Sequence, residues 1–167
     1  MRELAEYWFA RRDGTGVPPR EAINPLDFPR LLPNVGLLDR VLAEDGSGSE
    51  RFRIRLAGEE ITYAVGRPLA GYFLDEVQPD RYREFAALLI RLAVERRRPV
   101  YSSSLFHDAG NIVNGLTHTL LMPLHRQESV EPDMLFVCQF FQHREDGGLR
   151  SGDWLSVTPE IRLIVSP

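Results

Sequence analysis

The sequence predicts an α+β domain: a single antiparallel sheet of about five strands, helices over one face, and a further helix at the N-terminus. Three observations carry that expectation. The segments come in blocks, two strands, then several helices with the longest last, then three strands. Two hairpin-forming blocks around a helical crossover pack most economically as one sheet under the helices. The chain has 167 residues, the length of one domain, and buries roughly two-thirds of its unfolded surface at that size. Its residues are 43% hydrophobic and 26% charged, ordinary for a globular protein in water. The expected divisions are an N-terminal helix and link over residues 1–34, a core over 35–143 and a tail over 144–167.

Each element has its own local reason. Arg2 to Arg12 reads as an amphipathic helix, because Leu4 and Trp8, and Ala5 and Phe9, lie four apart. Glu3 sits in the first turn, where the helix dipole favours an acid. Gly14, Gly16, Pro18 and Pro19 end it. Asn24 caps a short turn with Pro25 in its first position, closing near Pro33. Val35 to Ala43 and Arg51 to Ala57 are strands joined by the turn-rich Glu44 to Ser49, hence a hairpin. In the second strand Phe52, Ile54 and Leu56 alternate with Arg53 and Arg55. After Gly58 the alternation stops, and Glu59 to Val65 and Phe73 to Val77 read as short helical pieces.

Pro79 to Arg97 is the best helix, with Tyr82, Phe85, Leu89, Leu92 and Ala93 on its apolar face and Pro99 beyond its end. Three strands follow: Val100 to His107, Val113 to His125 and Met134 to Gln142, separated by the turn Asp108 to Asn111 and the loop Arg126 to Asp133. In the middle one, Leu116, His118, Leu120, Met122 and Leu124 share a face, and Thr117 and Thr119 lie on the other. The last strand is the most apolar, and its face assignment stays open, since Phe136, Cys138 and Phe140 compete with Val137 and Phe141. The tail ends in Ile161, Leu163, Ile164 and Val165, suited to an added strand or to docking on a partner.

Composition excludes several chemistries. All 20 basic residues are arginine, so a Schiff-base lysine, the usual pyridoxal-phosphate site and the P-loop lysine are absent. Arginine does not titrate near neutral pH and is no general base. Cys138 is the only cysteine, which rules out an internal disulfide and a cysteine-rich metal site. No pair of histidines has helical metal-ligand spacing. The net charge of -4 argues against nucleic acid or an anionic membrane as partner. No apolar run reaches the roughly 20 residues of a membrane span, and the N-terminus lacks a signal peptide's apolar stretch, so the cytoplasm is the expected compartment. The run Ser102 to Ser104 has no visible base beside it and reads as a solvated strand face. Arg51, Arg53 and Arg55 read as solvated or cross-strand paired, and Arg96 to Arg98 as cations suited to a helix C-terminus.

A set of landmarks in order resembles a bacterial family of PAS-like domains. They are Tyr7-Trp8, Pro18-Pro19-Arg20, Pro25, Leu31-Leu32-Pro33, Leu38-Asp39, Phe52 to Gly58, Gly66-Arg67-Pro68-Leu69-Ala70-Gly71, Arg98-Pro99-Val100 and Leu121 to Leu124. Together they cover nearly all of residues 2–141. Glu59 stands where a small hydroxyl residue is more usual in that family, and Pro68 where an acid is common.

The resemblance implies that the chain leaves the sheet at Gly58 and folds back over it, walling off a cavity. Tyr63 and Phe73 would face that space, Tyr82, Phe85 and Leu89 would cover it, and Leu120 and Met122 would form its floor. That these residues simply fill a core stays open. His118, on the apolar face of its strand, would be the haem ligand if there were one, as in some PAS domains, but a satisfied core histidine is the favoured reading. Cys138 lies in a strand without the Asn-Cys-Arg neighbours of a flavin-adduct site. Neither haem nor flavin is therefore expected, and the cofactor stays unknown. Tyr7, Trp8 and Phe9, three consecutive aromatics, are candidate contacts for a protein partner or a homodimer, unless they pack on their own sheet.

Three functions follow as expectations. The first is a non-catalytic sensory or regulatory domain that binds a small molecule or a protein partner, with output through a separate protein or self-association. The second is an interaction adaptor whose cavity is filled. The third is a small α+β isomerase or dehydratase, which needs a buried acid in the cavity. Asp39 is the one acid placed on the likely inner side of a strand.

Overall fold

The computed structural model describes residues 1–14, 16–42, 49–78, 80–107, 113–126, 129, 131–143 and 160–164. Helix α1 (Arg2–Ala10) is followed by three 3-10 turns, Arg20–Ala22, Pro25–Asp27 and Pro29–Asn34. Strands β1 (Val35–Leu42) and β2 (Glu50–Ala57) precede α2 (Glu59–Val65), α3 (Leu74–Val77) and α4 (Asp80–Arg96). Strands β3 (Val100–His107), β4 (Val113–Leu124), β5 (Met134–His143) and β6 (Glu160–Leu163) complete the order. The expected turns over 44–48 and 108–111, and residues 144–159 of the tail, lie outside the described residues.

All strands form one antiparallel sheet in the order β2-β1-β5-β4-β3-β6. It has six strands rather than about five, because Glu160–Leu163 adds to the free edge of β3. β1 pairs with β5, so the early hairpin and the late strands make a continuous layer. β3 to β5 are joined as a meander, and the helical crossover from β2 to β3 carries the chain from one side of the sheet to the other.

Both faces of the sheet are covered. On one face α1 and the 3-10 segments pack Leu4, Trp8, Phe9, Ile23 and Phe28 against Leu37, Leu120, Met122, Leu124, Phe136 and Cys138. On the other, α2 and α4 pack Ile61, Leu89, Ile90 and Ala93 against Leu38, Ile54, Leu121, Leu135 and Val137. This two-sided burial explains the unbroken apolar run Met134 to Cys138 at the start of β5: successive residues point to opposite faces, and both are buried there.

The N-terminal segment is stitched to the sheet. Trp8, 0% exposed, donates its indole N–H to the Pro123 carbonyl at 2.8 Å. Pro19 bridges His125, whose N–H donates to the Pro18 carbonyl at 3.2 Å while its own carbonyl accepts from Arg20 N–H at 2.8 Å. Tyr7 pins the Pro25–Asp27 turn, donating its hydroxyl to Asp27 at 2.8 Å, with its ring edge-on to Phe28. The aromatic trio expected as a partner contact is thus used internally. Trp8 and Phe9 are buried, and Tyr7 is half-buried beneath the Arg11 guanidinium. The face they would have offered is occupied by the chain's own sheet.

The strand-to-helix junction at Gly58 has a different cause from the one the turn suggested. Gly58 has φ -66° and ψ 165°, extended backbone open to any residue. Its N–H donates to the Val35 carbonyl at 2.8 Å. What requires glycine is proximity: a Cβ there would stand 2.5 Å from the Leu32 carbonyl oxygen and closer still to that of Pro33. Gly66, in contrast, ends α2 with φ 79°, the left-handed cap conformation that favours glycine.

Candidate functional site

Between the sheet and α2 to α4 the side chains leave a cavity of about 360 Å³, within the usual range for a small-molecule site. Its roof comes from Tyr82, Phe85, Ala86, Leu89 and Ile90 of α4. Ile61, Ala64 and Val65 of α2, Leu69, and Leu74 and Val77 of α3 close one side. This roof is held by the edge of β2, where Ile54 exchanges backbone hydrogen bonds with Tyr72 and Gly71 at 2.8 and 2.7 Å. Arg51 adds a fork onto Asp75 and Glu76 and lies 3.8 Å over the Phe73 ring, fixing α3 to the end of β2.

The floor is set by register. Gly36, Val137, Leu121 and Val100 form one cross-strand row, of which the first three face the cavity. Gln139, Thr119 and Ser102 form the next, and Phe141, Thr117 and Ser104 the third. The Gln139 amide donates to the Thr119 hydroxyl at 3.1 Å. Ser102 is 2% exposed and Thr117 is also buried. Among the described residues their hydroxyls make no hydrogen bond that closes them off. A hydroxyl sealed from water without a partner costs on the order of 1–3 kcal/mol, so a guest that closes over this floor is favoured if it supplies one.

Three of the residues expected at the cavity line it: Tyr82, Phe85 and Leu89. Tyr63 is 79% exposed on the outer side of α2, and Phe73 caps α3 beneath Arg51, outside the cavity. Leu120 and Met122 are fully buried but face α1, so the floor assignment is corrected. Alternation was right for β4 and the choice of face was wrong. The more apolar set went under the close-packed Trp8, leaving Thr117, Thr119 and Leu121 for the cavity. His118 follows the even set away from the cavity. Its Nδ1 lies 2.8 Å from the Tyr101 hydroxyl and its Nε2 3.4 Å from Gln142 Oε1, which leaves it in no position to ligate a group held there.

Ser102 and Ser104 were expected on a solvated face and instead line the cavity. The missing signal was the register, since Ser102 lies opposite Thr119 and Gln139 lies beyond it. Cys138, on the α1 face, is buried, and burial pushes its thiol up to about 11. Asp39 is 3% exposed but also lies on the face away from the cavity. Arg126 donates to it at 2.5 Å, with Arg53 and Arg55 at 3.6 and 3.7 Å. Arg53 and Arg55 of β2 are therefore cross-strand partners, and the acid is bound in a charge cluster.

Among the described residues no group of three or more His, Cys, Asp or Glu converges as a metal site, and no helix is long and apolar enough to cross a membrane. A family model described as a PAS domain matches residues 1–138. No curated protein matches the chain.

Proposed function

We propose, on the premise that this chain belongs to the PAS domain family, that it is a sensory or regulatory domain that holds a small molecule between α4 and the sheet. Its role is non-catalytic, and its output passes through a separate protein partner or through self-association. The observation that supports this most is the cavity itself, about 360 Å³ beneath Tyr82, Phe85 and Leu89, with the hydroxyls of Ser102, Thr117 and Thr119 on its floor. A domain that served only as an adaptor gains nothing from such under-packing, because lining atoms without neighbours forfeit dispersion energy. The isomerase or dehydratase reading needs an acid in the cavity, and Asp39 sits on the other face.

Native mass spectrometry of freshly purified protein tests the reading, with absorbance spectra to detect a chromophore. A bound small molecule is expected in the wild type and lost in Ala86→Trp, which fills the cavity from α4. A wild type without any adduct, and without thermal stabilisation by any small molecule, would favour the filled-cavity adaptor, with a dimer or heterocomplex as its product.

A further inference from the structure

The cavity wall carries a chemical preference that is legible residue by residue. Among the described residues that line it there is no Arg, His, Asp or Glu. The chain is 26% charged, so this exclusion is a local property of the wall and not of the composition. Against that largely apolar wall stands a polar band on the sheet, Ser102, Thr119 and Gln139 in register across three strands, with Ser104 and Thr117 beside it, and Gln78 at the end of α3 adds one further carboxamide. Every member is neutral, and hydroxyl and carboxamide groups both donate and accept.

We infer that the cavity selects an uncharged, mainly hydrocarbon ligand of up to about fifteen non-hydrogen atoms, the number that about 360 Å³ holds at interior packing density. The ligand lays one hydroxyl, carbonyl or amide group against the Ser102–Thr119–Gln139 band. This rests on the reading of the cavity as a ligand site. A carboxylate or ammonium would be desolvated there with no opposite charge to meet it, a cost that neutral hydrogen bonds do not repay. A pure hydrocarbon would leave the buried hydroxyls of Ser102 and Thr117 without partners.

The test uses three probes of one skeleton, decan-1-ol, decanoate and decylammonium, at neutral pH by thermal shift and titration calorimetry. The alcohol is expected to raise Tm saturably, and the two ions to bind at least about a hundredfold more weakly. Ser102→Ala combined with Thr119→Val should weaken the alcohol about tenfold, with each single variant measured beside it in case the pair folds poorly. Ala86→Trp should abolish binding and so locate it. Ions that bind as tightly as the alcohol, or an alcohol affinity unmoved by loss of the hydroxyls, would overturn the ligand class and leave the cavity reading intact. No stabilisation by any of the three probes would overturn this inference alone if the wild type still carries a small-molecule adduct by native mass spectrometry, and would remove the cavity reading with it if it carries none.

Discussion

Replacing Gly58 by alanine tests the account of how the roof of the cavity is placed. The added Cβ would stand 2.5 Å from the Leu32 carbonyl oxygen and nearer still to Pro33, whereas ordinary contact begins at about 3.4 Å. Both obstacles are backbone atoms, so no side chain can swing aside. The 3-10 turn Pro29–Asn34 and the start of α2 must part by about 1 Å. Overpacking of this kind costs about 3 kcal/mol. The dihedral angles suit alanine, which removes freedom from the unfolded chain and returns about 0.7 kcal/mol. The net expectation is a loss of about 2 kcal/mol, or roughly 4–8 °C in Tm at this chain length. Urea denaturation should show a lower midpoint with an unchanged slope. Gly14, with nothing within 4 Å of its hypothetical Cβ, supplies the control, and Gly14→Ala should be neutral within about 0.5 kcal/mol. A Gly58→Ala protein as stable as Gly14→Ala would refute the close-approach argument.

Three further outcomes are expected. Trp8→Ala should cost about 3–5 kcal/mol by chemical denaturation, because a fully buried ring is lost and the Pro123 carbonyl loses its donor. His125 faces two acceptors, the Asp13 carboxylate at 2.9 Å and the Arg126 carbonyl at 2.7 Å, so both ring nitrogens must donate. Burial opposes that charge, but the Arg126 carbonyl, the Asp13 carboxylate and the charge of Asp133 outweigh it and raise the imidazole pKa. A raised folded-state value means that the stabilisation is complete below the unfolded value of about 6.5 and is lost as pH rises through the folded value. A pH series of melting temperatures should show that decline, and Asp13→Asn should flatten it. Asp39→Asn should cost about 1–2 kcal/mol, less than a fully buried pair, because Arg53, Arg55 and Arg126 are partly exposed and Arg126 keeps Asp133; an unchanged urea midpoint would contradict the charge cluster.

The fold was legible because its signals are local. The alternation of Phe52 to Leu56, the helical spacing of Tyr82 to Ala93 and the position of Pro99 each fix an element without reference to the rest of the chain. The site was legible only in part. The helix period puts Tyr82, Phe85 and Leu89 on one apolar face, the family resemblance implies that this face covers a cavity, and they line it. The floor required knowing which of two buried faces lies under α4. Periodicity divides β4 into even and odd sets but does not say which set faces which helix, and apolar content misled, since the richer set belongs under the tighter packing. The polar band was hidden for another reason. Ser102, Thr119 and Gln139 lie on three strands and meet only once the register is known, and read singly each looks like a solvated strand position. Trp8 was misplaced because consecutive aromatics suggest exposure only when the opposite face of the sheet is assumed bare.

The asymmetry of the two faces bears on how such a domain reports a ligand. The α1 face is close-packed around Trp8 and tied to β4 by backbone bonds at both Pro18 and Arg20. The other face carries the cavity, and its roof is built from the short α2 and α3, pinned by Gly58 and the Arg51 fork, together with α4. Stability drawn from the first face lets the second remain under-packed, where a guest supplies the missing contacts. On the proposed reading a ligand at 100 times its Kd adds about 2.7 kcal/mol to the folded state. Only the part of that energy that differs between two arrangements of the roof can move an equilibrium toward a partner. The elements that make that difference are those resting on Ile61, Leu74 and Phe85, since α1 is already committed to the sheet. Substitutions at the roof should therefore change the response to ligand, while substitutions under Trp8 change stability and leave the response of the surviving folded protein as it was.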